Sequence, residues 1–195
     1  SVGMMNGIGI ANAHELGHKT SRWERWLAKV ALAPTFYGHF EVEHNRGHHV
    51  RVATPEDPAS ARMGESFWAF LPRTVIGGVR SGWNLEKARL ARAGLGPLHW
   101  RNEVLNAWAM TPALFGLLLF WLGPAIIPFL VIQGVFGFSL LEVVNYVEHY
   151  GLKRARLPDG RYERCGPEHS WNSNHVVTNV MLYHLQRHSD HHAHP

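Results

Sequence analysis

The sequence predicts an all-α fold, a polytopic membrane helical bundle, and three observations carry that expectation. Residues 104–141 run for 38 positions without an Asp, Glu, Lys, Arg or His. Nine of the 15 histidines fall in four separated clusters. Basic residues gather beside the apolar segments rather than in a stripe of their own. The averages conceal this. A hydrophobic fraction of 46% and a mean hydropathy of −0.17 resemble a soluble chain, because one apolar block is balanced by polar segments crowded with histidine.

The elements follow in order. Residues 1–13 carry no charge, and as helix they cover about 20 Å, less than the ~30 Å hydrocarbon core. They read as the last part of a membrane helix, so the chain is expected to be a C-terminal-side fragment lacking upstream transmembrane helices. Residues 21–33, SRWERWLAKVALA, form an amphipathic helix ended by Pro34. Residues 50–100 are mixed, with TPEDPAS as a turn-rich loop, and carry little functional information. The apolar run is too long for one span of about 20 residues and suits two. Gly123-Pro124 at its middle supplies a turn, which gives a transmembrane hairpin over 104–122 and 125–147. Residues 152–170, with Pro158-Asp159-Gly160 and Gly166-Pro167, form a polar loop outside the bilayer. The whole, residues 1–195, is expected to be one membrane-embedded catalytic domain.

A hairpin returns both ends to one side. Arg101, Lys153, Arg154 and Arg156 mark that side, together with Lys19, Arg22, Arg25 and Lys29, as cytoplasmic. Tryptophans 23, 26, 100, 108 and 121 lie near helix ends, as interfacial aromatics do. The net charge of +4 does not imply nucleic acid, because the cations are scattered and not interleaved with aromatics. The single Cys165 excludes an internal disulfide.

The histidine clusters carry the chemistry. They are His14-Glu-Leu-Gly-His18, then Glu43-His44-Asn-Arg-Gly-His48-His49, then His149 in NYVEHYGL, then His188, His191 and His192 in LQRHSDHHA. Positions four apart share a helix face, so His14 with His18, and His44 with His48, are each expected to meet one ion. His49 points about 100° away from His48 and suits a second ion. Nine imidazoles exceed the six positions of one octahedral ion, so two ions are needed if all bind. A zinc protease would use His14 and His18 with Glu15 as base, and would leave seven clustered histidines without a role. A histidine-only, two-ion site favours redox chemistry over hydrolysis, which usually has bridging carboxylates. A carboxylate neighbours a ligand in each box: Glu15, Glu43, Glu148 and Asp190. At least two of these four are expected to hold an imidazole or offset charge without binding metal. His39 and His184 lie close enough in sequence to reach the site, with packing the more ordinary use. His99, His169, His175 and His194 read as loop or interface residues.

HELGHK, EHNRGHH, NYVEHYGL and LQRHSDHHA, in this order and at these separations, resemble the integral-membrane alkane 1-monooxygenase family, and the resemblance covers nearly the whole chain. It implies a six-helix bacterial inner-membrane enzyme with its active site towards the cytoplasm and a non-haem di-iron centre. The nine ligands it implies are His14, His18, His44, His48, His49, His149, His188, His191 and His192. It also implies hydroxylation of the terminal methyl of medium-to-long n-alkanes with O2. Electrons would come from rubredoxin and its NAD(P)H-dependent reductase, and the other oxygen atom would leave as water. Related histidine-box enzymes, a xylene side-chain hydroxylase or a lipid desaturase, are the alternative; a membrane zinc protease and a non-catalytic metal-binding protein stand further off.

Overall fold

A computed structural model describes residues 2–19, 21–182 and 184–193. They form nine α-helices: α1 (Val2–Gly17), α2 (Arg22–Leu32), α3 (Phe40–Glu43), α4 (His49–Arg51), α5 (Phe67–Arg92), α6 (Glu103–Leu122), α7 (Ile127–His149), α8 (Val176–Met181) and α9 (His188–Ala193). Short 3-10 turns at Ala33–Thr35, Pro124–Ile126 and Pro167–His169 join some of them, and a π-helical turn over His44–His48 joins α3 to α4. Among the described residues the only extended pairing is one isolated bridge, Arg156 with Tyr162.

The expected hairpin is α6 and α7. Each is long and apolar enough to cross a bilayer, with mean hydropathy 1.6 and 2.0 over the best window. Asn102 caps α6 by accepting the Leu105 N–H at 2.9 Å, and Gly123, at φ +77°, ends it in a conformation open to glycine. The outer faces keep Leu117, Phe120, Trp121, Phe129 and Ile132 exposed, as lipid contact would require. The inner face of α7 buries Gln133, Gly137, Leu141, Glu142, Asn145 and Glu148, a three-to-four-residue repeat.

Small residues bring α1 against α7. A Cβ on Gly3 would lie 2.9 Å from Phe136 Cδ1, and one on Gly7 the same distance from Leu140 Cδ1. Close approach through glycines four apart is the usual means of helix packing where no water drives association. Ile10, Leu32, Tyr37, Phe40 and Leu141 fill the core between α1, α2, α3 and α7, next to the histidines. The 3-10 turn Ala33–Thr35 sits between α6 and α7. Thr111 donates to Ala33 O at 2.8 Å, and Gln133 Nε2 donates to Pro34 O at 2.7 Å.

The segment 50–100 corrects the sequence reading. It holds a 26-residue helix, α5, capped by Ser66 and containing Pro72, and it frames the site. Its mixed composition gives little periodic signal because α5 touches solvent on one side and buried ion pairs on the other. Glu86, fully buried, accepts from Arg46 at 2.9 Å, from Arg89 at 2.6 Å and from the Glu103 N–H at 2.8 Å. Removing both arginines would strand a buried charge, which costs several kcal/mol.

Candidate metal centre

The nine histidines of the four clusters converge on one end of the bundle, in two adjoining groups. His14, His18, His44, His49 and His191 form one; His48, His149, His188 and His192 form the other. Within each group the candidate ligand nitrogens lie within 4.8 Å of one another. The closest approaches are between Nε2 atoms: His14–His18 3.4 Å, His44–His49 3.0 Å, His49–His191 3.0 Å, His48–His192 3.2 Å, His149–His188 3.0 Å and His188–His192 2.8 Å. A metal–imidazole bond of about 2.1 Å separates two ligand nitrogens by about 3.0 Å at a right angle and about 3.4 Å at the tetrahedral angle. The spacings are those of ligands around an ion. The groups touch through His49 and His192, whose ring centroids are 4.5 Å apart.

The second box is sorted differently from the helical expectation. His44 and His48 were to share an ion, but they part, and His44 pairs with His49. The cause is the π-helical turn, in which the His49 N–H donates to His44 O and residues five apart align. His48 is left pointing to the other group. The turn is pinned from outside: Arg46 bridges Glu86 at 2.9 Å and Glu103 at 2.8 Å. Gly47 lets α5 approach, since a Cβ there would lie 2.6 Å from Glu43 Oε1 and 3.0 Å from Leu85 Cδ1. In α9, His188 and His192 share a face as four-apart residues should, while His191 turns to the five-membered group.

Carboxylates back some of these rings. His48 Nδ1 donates to Asp57 Oδ2 at 2.9 Å, both groups fully buried, which leaves the Nε2 lone pair facing the other imidazoles. Asp57 is held in turn by the Ser60 hydroxyl at 2.6 Å and the Ala59 N–H at 3.3 Å. Sequence reasoning missed Asp57. The signal was TPEDPAS, an acid set between two prolines a few residues past the second box. Glu15 lies 3.2 Å from His14 Nδ1 with its side chain 39% exposed. Glu148 Oε2 lies 3.3 Å from His188 Nδ1, close but not aligned for a hydrogen bond. Glu43 and Asp190 are placed elsewhere. Glu43 accepts from Arg51 at 3.0 Å. Asp190, two residues past His188 and so on the opposite helix face, is exposed to solvent.

Electrostatics keep most of these imidazoles neutral. Burial, reinforced by neighbouring imidazoles, lowers His18 to about 4 and His49 to about 2, and holds His44, His188, His191 and His192 below the ordinary histidine range. His48 is the exception: burial opposes its charge, but Asp57 outweighs burial and the value rises. Burial also lifts the Glu43 carboxyl, to about 7, with Asp57 adding to it. Neutral imidazole is the ligating form, and the lowered values favour it at neutral pH.

The other histidines stay apart. His39 is buried between Tyr37 and Trp108 and lowered to about 4 by burial. His184 and His175 are exposed, and His169 is buried in the polar loop, accepting the Gly166 N–H at 2.9 Å. His99 is half-buried, and His194 lies outside the described residues. Beside His44 and His48 is a second polar cluster that the sequence did not announce. Glu142, buried in α7, accepts from Tyr37 at 2.5 Å, Thr74 at 3.0 Å and Asn145 at 3.3 Å.

Apolar helices that carry paired sets of imidazoles at one end define a class of membrane-type, histidine-box metal-site proteins. The chain belongs to the fatty acid desaturase family, whose sequence model matches residues 1–195. It is 52% identical over 195 residues to the alkane 1-monooxygenase of Pseudomonas putida, covering all of this chain and 48% of that protein. Identity to alkane 1-monooxygenase 1 of Alcanivorax borkumensis is the same over the same shares. The hydroxylase component of the Pseudomonas putida xylene/toluene monooxygenase is 26% identical over 182 residues, 92% of this chain and 47% of that protein. The chain spans about half the length of the curated relatives it matches.

Proposed function

We propose that this chain is the metal-holding catalytic part of a membrane alkane hydroxylase that converts the terminal methyl of medium- to long-chain n-alkanes to 1-alkanols. The observation that carries the proposal is the pair of adjoining, histidine-only groups, five and four, with Nε2 atoms at coordination spacing. Five imidazoles in one group exceed the four-coordinate sites zinc prefers, and among the described residues no carboxylate stands with the grouped ligand atoms, which disfavours the zinc protease. Imidazole suits iron, so the reading assigns one iron to each group with the nine histidines as ligands. When bound, the two irons would supply the redox and O2 chemistry that side chains lack. Relatives named alkane 1-monooxygenase, at 52% identity against 26% for the xylene/toluene enzyme, support the alkane over the aromatic side chain as substrate.

The chain's own residues have definite tasks. Asp57 fixes the His48 ring with Nε2 inward, and with Glu148 and Glu15 it offsets the charge that nine neutral ligands leave on two divalent ions. An apolar cleft of about 310 Å³, lined by Met4, Gly7, Ile8, Leu140, Val144 and Leu185 among others, lies along α1 and α7. Its lining residue Ala11 is three before His14, and Leu185 is three before His188. An alkyl chain in it is gripped only by shape, and one methylene is worth about 1–3 kcal/mol there, so several chain lengths should be accepted. The site end is taken as cytoplasmic in a bacterial inner membrane, with rubredoxin, itself reduced by an NAD(P)H-dependent reductase, docking on the basic surface as electron donor. The test is to express the complete polypeptide with an electron donor, supply n-octane and measure 1-octanol by gas chromatography, alongside metal content. Alcohol with iron near two per chain supports the proposal. Peptide cleavage with one zinc and no alcohol overturns it.

A further inference from the structure

The segment between the first two histidine boxes carries an unpartnered stripe. On α2, Trp23, Trp26, Leu27 and Val30 are 76, 49, 47 and 40% exposed. They occupy positions i, i+3, i+4 and i+7, one continuous face of the helix. The opposite face is engaged: Ala28 and Leu32 are buried, and Arg25 pairs with Glu41 at 3.0 Å and with Glu103, the first residue of α6, at 2.8 Å. That ion pair sets α2's upper part level with the start of the α6 span.

From there the chain goes down beside α6. Thr111, which donates to Ala33 O at 2.8 Å, is eight residues along α6 from Glu103, about 12 Å at 1.5 Å per residue. Phe36 meets Phe115 of α6 with ring centroids 5.1 Å apart, one turn deeper. Against a hydrocarbon thickness of about 30 Å, this is the middle of the span. The tip is irregular backbone: the 3-10 turn Ala33–Thr35, then Phe36 at φ +59°, a left-handed conformation unusual for a bulky residue. Irregular backbone at bilayer depth is tolerated only where protein answers its polar groups. Here it is answered: Thr35 Oγ1 donates to Leu32 O at 2.9 Å, Thr111 to Ala33 O, and Gln133 Nε2 to Pro34 O at 2.7 Å. The chain then returns through α3 to His44.

We infer that residues 22–43 form a re-entrant wedge, dipping from the interface to mid-bilayer between α6 and α7, with the Trp23, Trp26, Leu27 and Val30 stripe against lipid acyl chains. Lipid is the occupant because α2, tied to Glu103 near its start and followed by a turn that meets Thr111, carries the exposed apolar stripe through hydrocarbon depth. Arg22 and Lys29 flank it on one edge, where flexible stems reach back to the headgroups. The inference rests on reading α6 and α7 as membrane-spanning.

The test uses the complete polypeptide in phospholipid vesicles, with Cys165→Ser and single cysteines introduced as Leu27→Cys or Val30→Cys. Leu117→Cys on α6 and Arg161→Cys in the exposed loop are the controls. The wedge positions should react with a membrane-impermeant maleimide at the rate of the Leu117 position, about tenfold or more below the loop position, since hydrocarbon supports no thiolate. A bimane attached at either wedge position should be quenched by lipids with brominated acyl chains. Labelling of the wedge at the loop rate, with Leu117→Cys protected, overturns the wedge alone. Protection without quenching shows protein covering the stripe and overturns the lipid assignment. Labelling of Leu117→Cys at the loop rate overturns the membrane reading beneath both.

Discussion

The five-histidine group and the four-histidine group differ more in their surroundings than in their ligands. The group of four is wholly buried, and two carboxylates, Asp57 and Glu148, stand behind it. In the group of five, His18, His49 and His191 are only half-buried, and its carboxylate, Glu15, is partly in water. Buried ligands with buried carboxylates are fixed in advance of metal. Half-exposed ligands can be reached by solvent and by small molecules. On the proposed function, the buried group would retain its metal and the half-exposed group would admit small molecules.

The largest expected effect breaks the retentive half. His48→Ala removes one of the four imidazoles and leaves buried Asp57 without its partner. The purified protein should lose the metal of that group, falling from about two to about one per chain by elemental analysis, with hydroxylation abolished. Retention of both metals would remove His48 from the ligand set. Next, Asp57→Asn keeps the volume but reverses the hydrogen-bond demand on His48. Metal affinity of the buried group should fall by about 10–100-fold, read by competition with a chelator. Glu15→Gln, in water on the exposed side, should fall at the lower end of that range or below it.

A smaller effect separates the ligands from buried His39, which the proposal leaves outside the centre. Its folded-state value is lowered to about 4 by burial, against an ordinary 6.5. The unfolded chain therefore takes up a proton that the folded chain refuses. Stability from this group is complete above about 6.5 and falls by about 1.4 kcal/mol per pH unit down to about 4. His39→Gln should flatten that part of the acid denaturation curve while leaving metal content unchanged. Smallest of all, Asp190→Ala should alter neither iron content nor turnover, because the side chain is exposed and faces away from the rings. A clear loss of iron in that variant would redraw the boundary of the exposed half.

Much of this was legible in the residues. The uncharged run 104–141 gave the hairpin to within a few residues, and the four histidine clusters gave every imidazole that converges. The sorting between groups was not legible, because it depends on one π-helical turn, and EHNRGHH reads as ordinary α-helix by spacing alone. Asp57 was hidden because its partner comes from a different element and its hold is a loop cinched by Ser60. The length of α5 was obscured by Gly77-Gly78, Gly82 and Pro72. Two of these glycines admit neighbours: Gly82 faces the His39 carbonyl and a Cβ on Gly77 would lie 2.6 Å from Pro58 Cβ. Contacts made by absence of a side chain leave no periodic trace.

The peptide bond between His48 and His49 joins the two halves of the centre covalently. Neither half can shift without dragging its neighbour, so filling one should ready the other, and partially metallated molecules should be scarce at intermediate iron supply. A single inserted or deleted residue in that stretch would not weaken one pole but would exchange the allegiance of both.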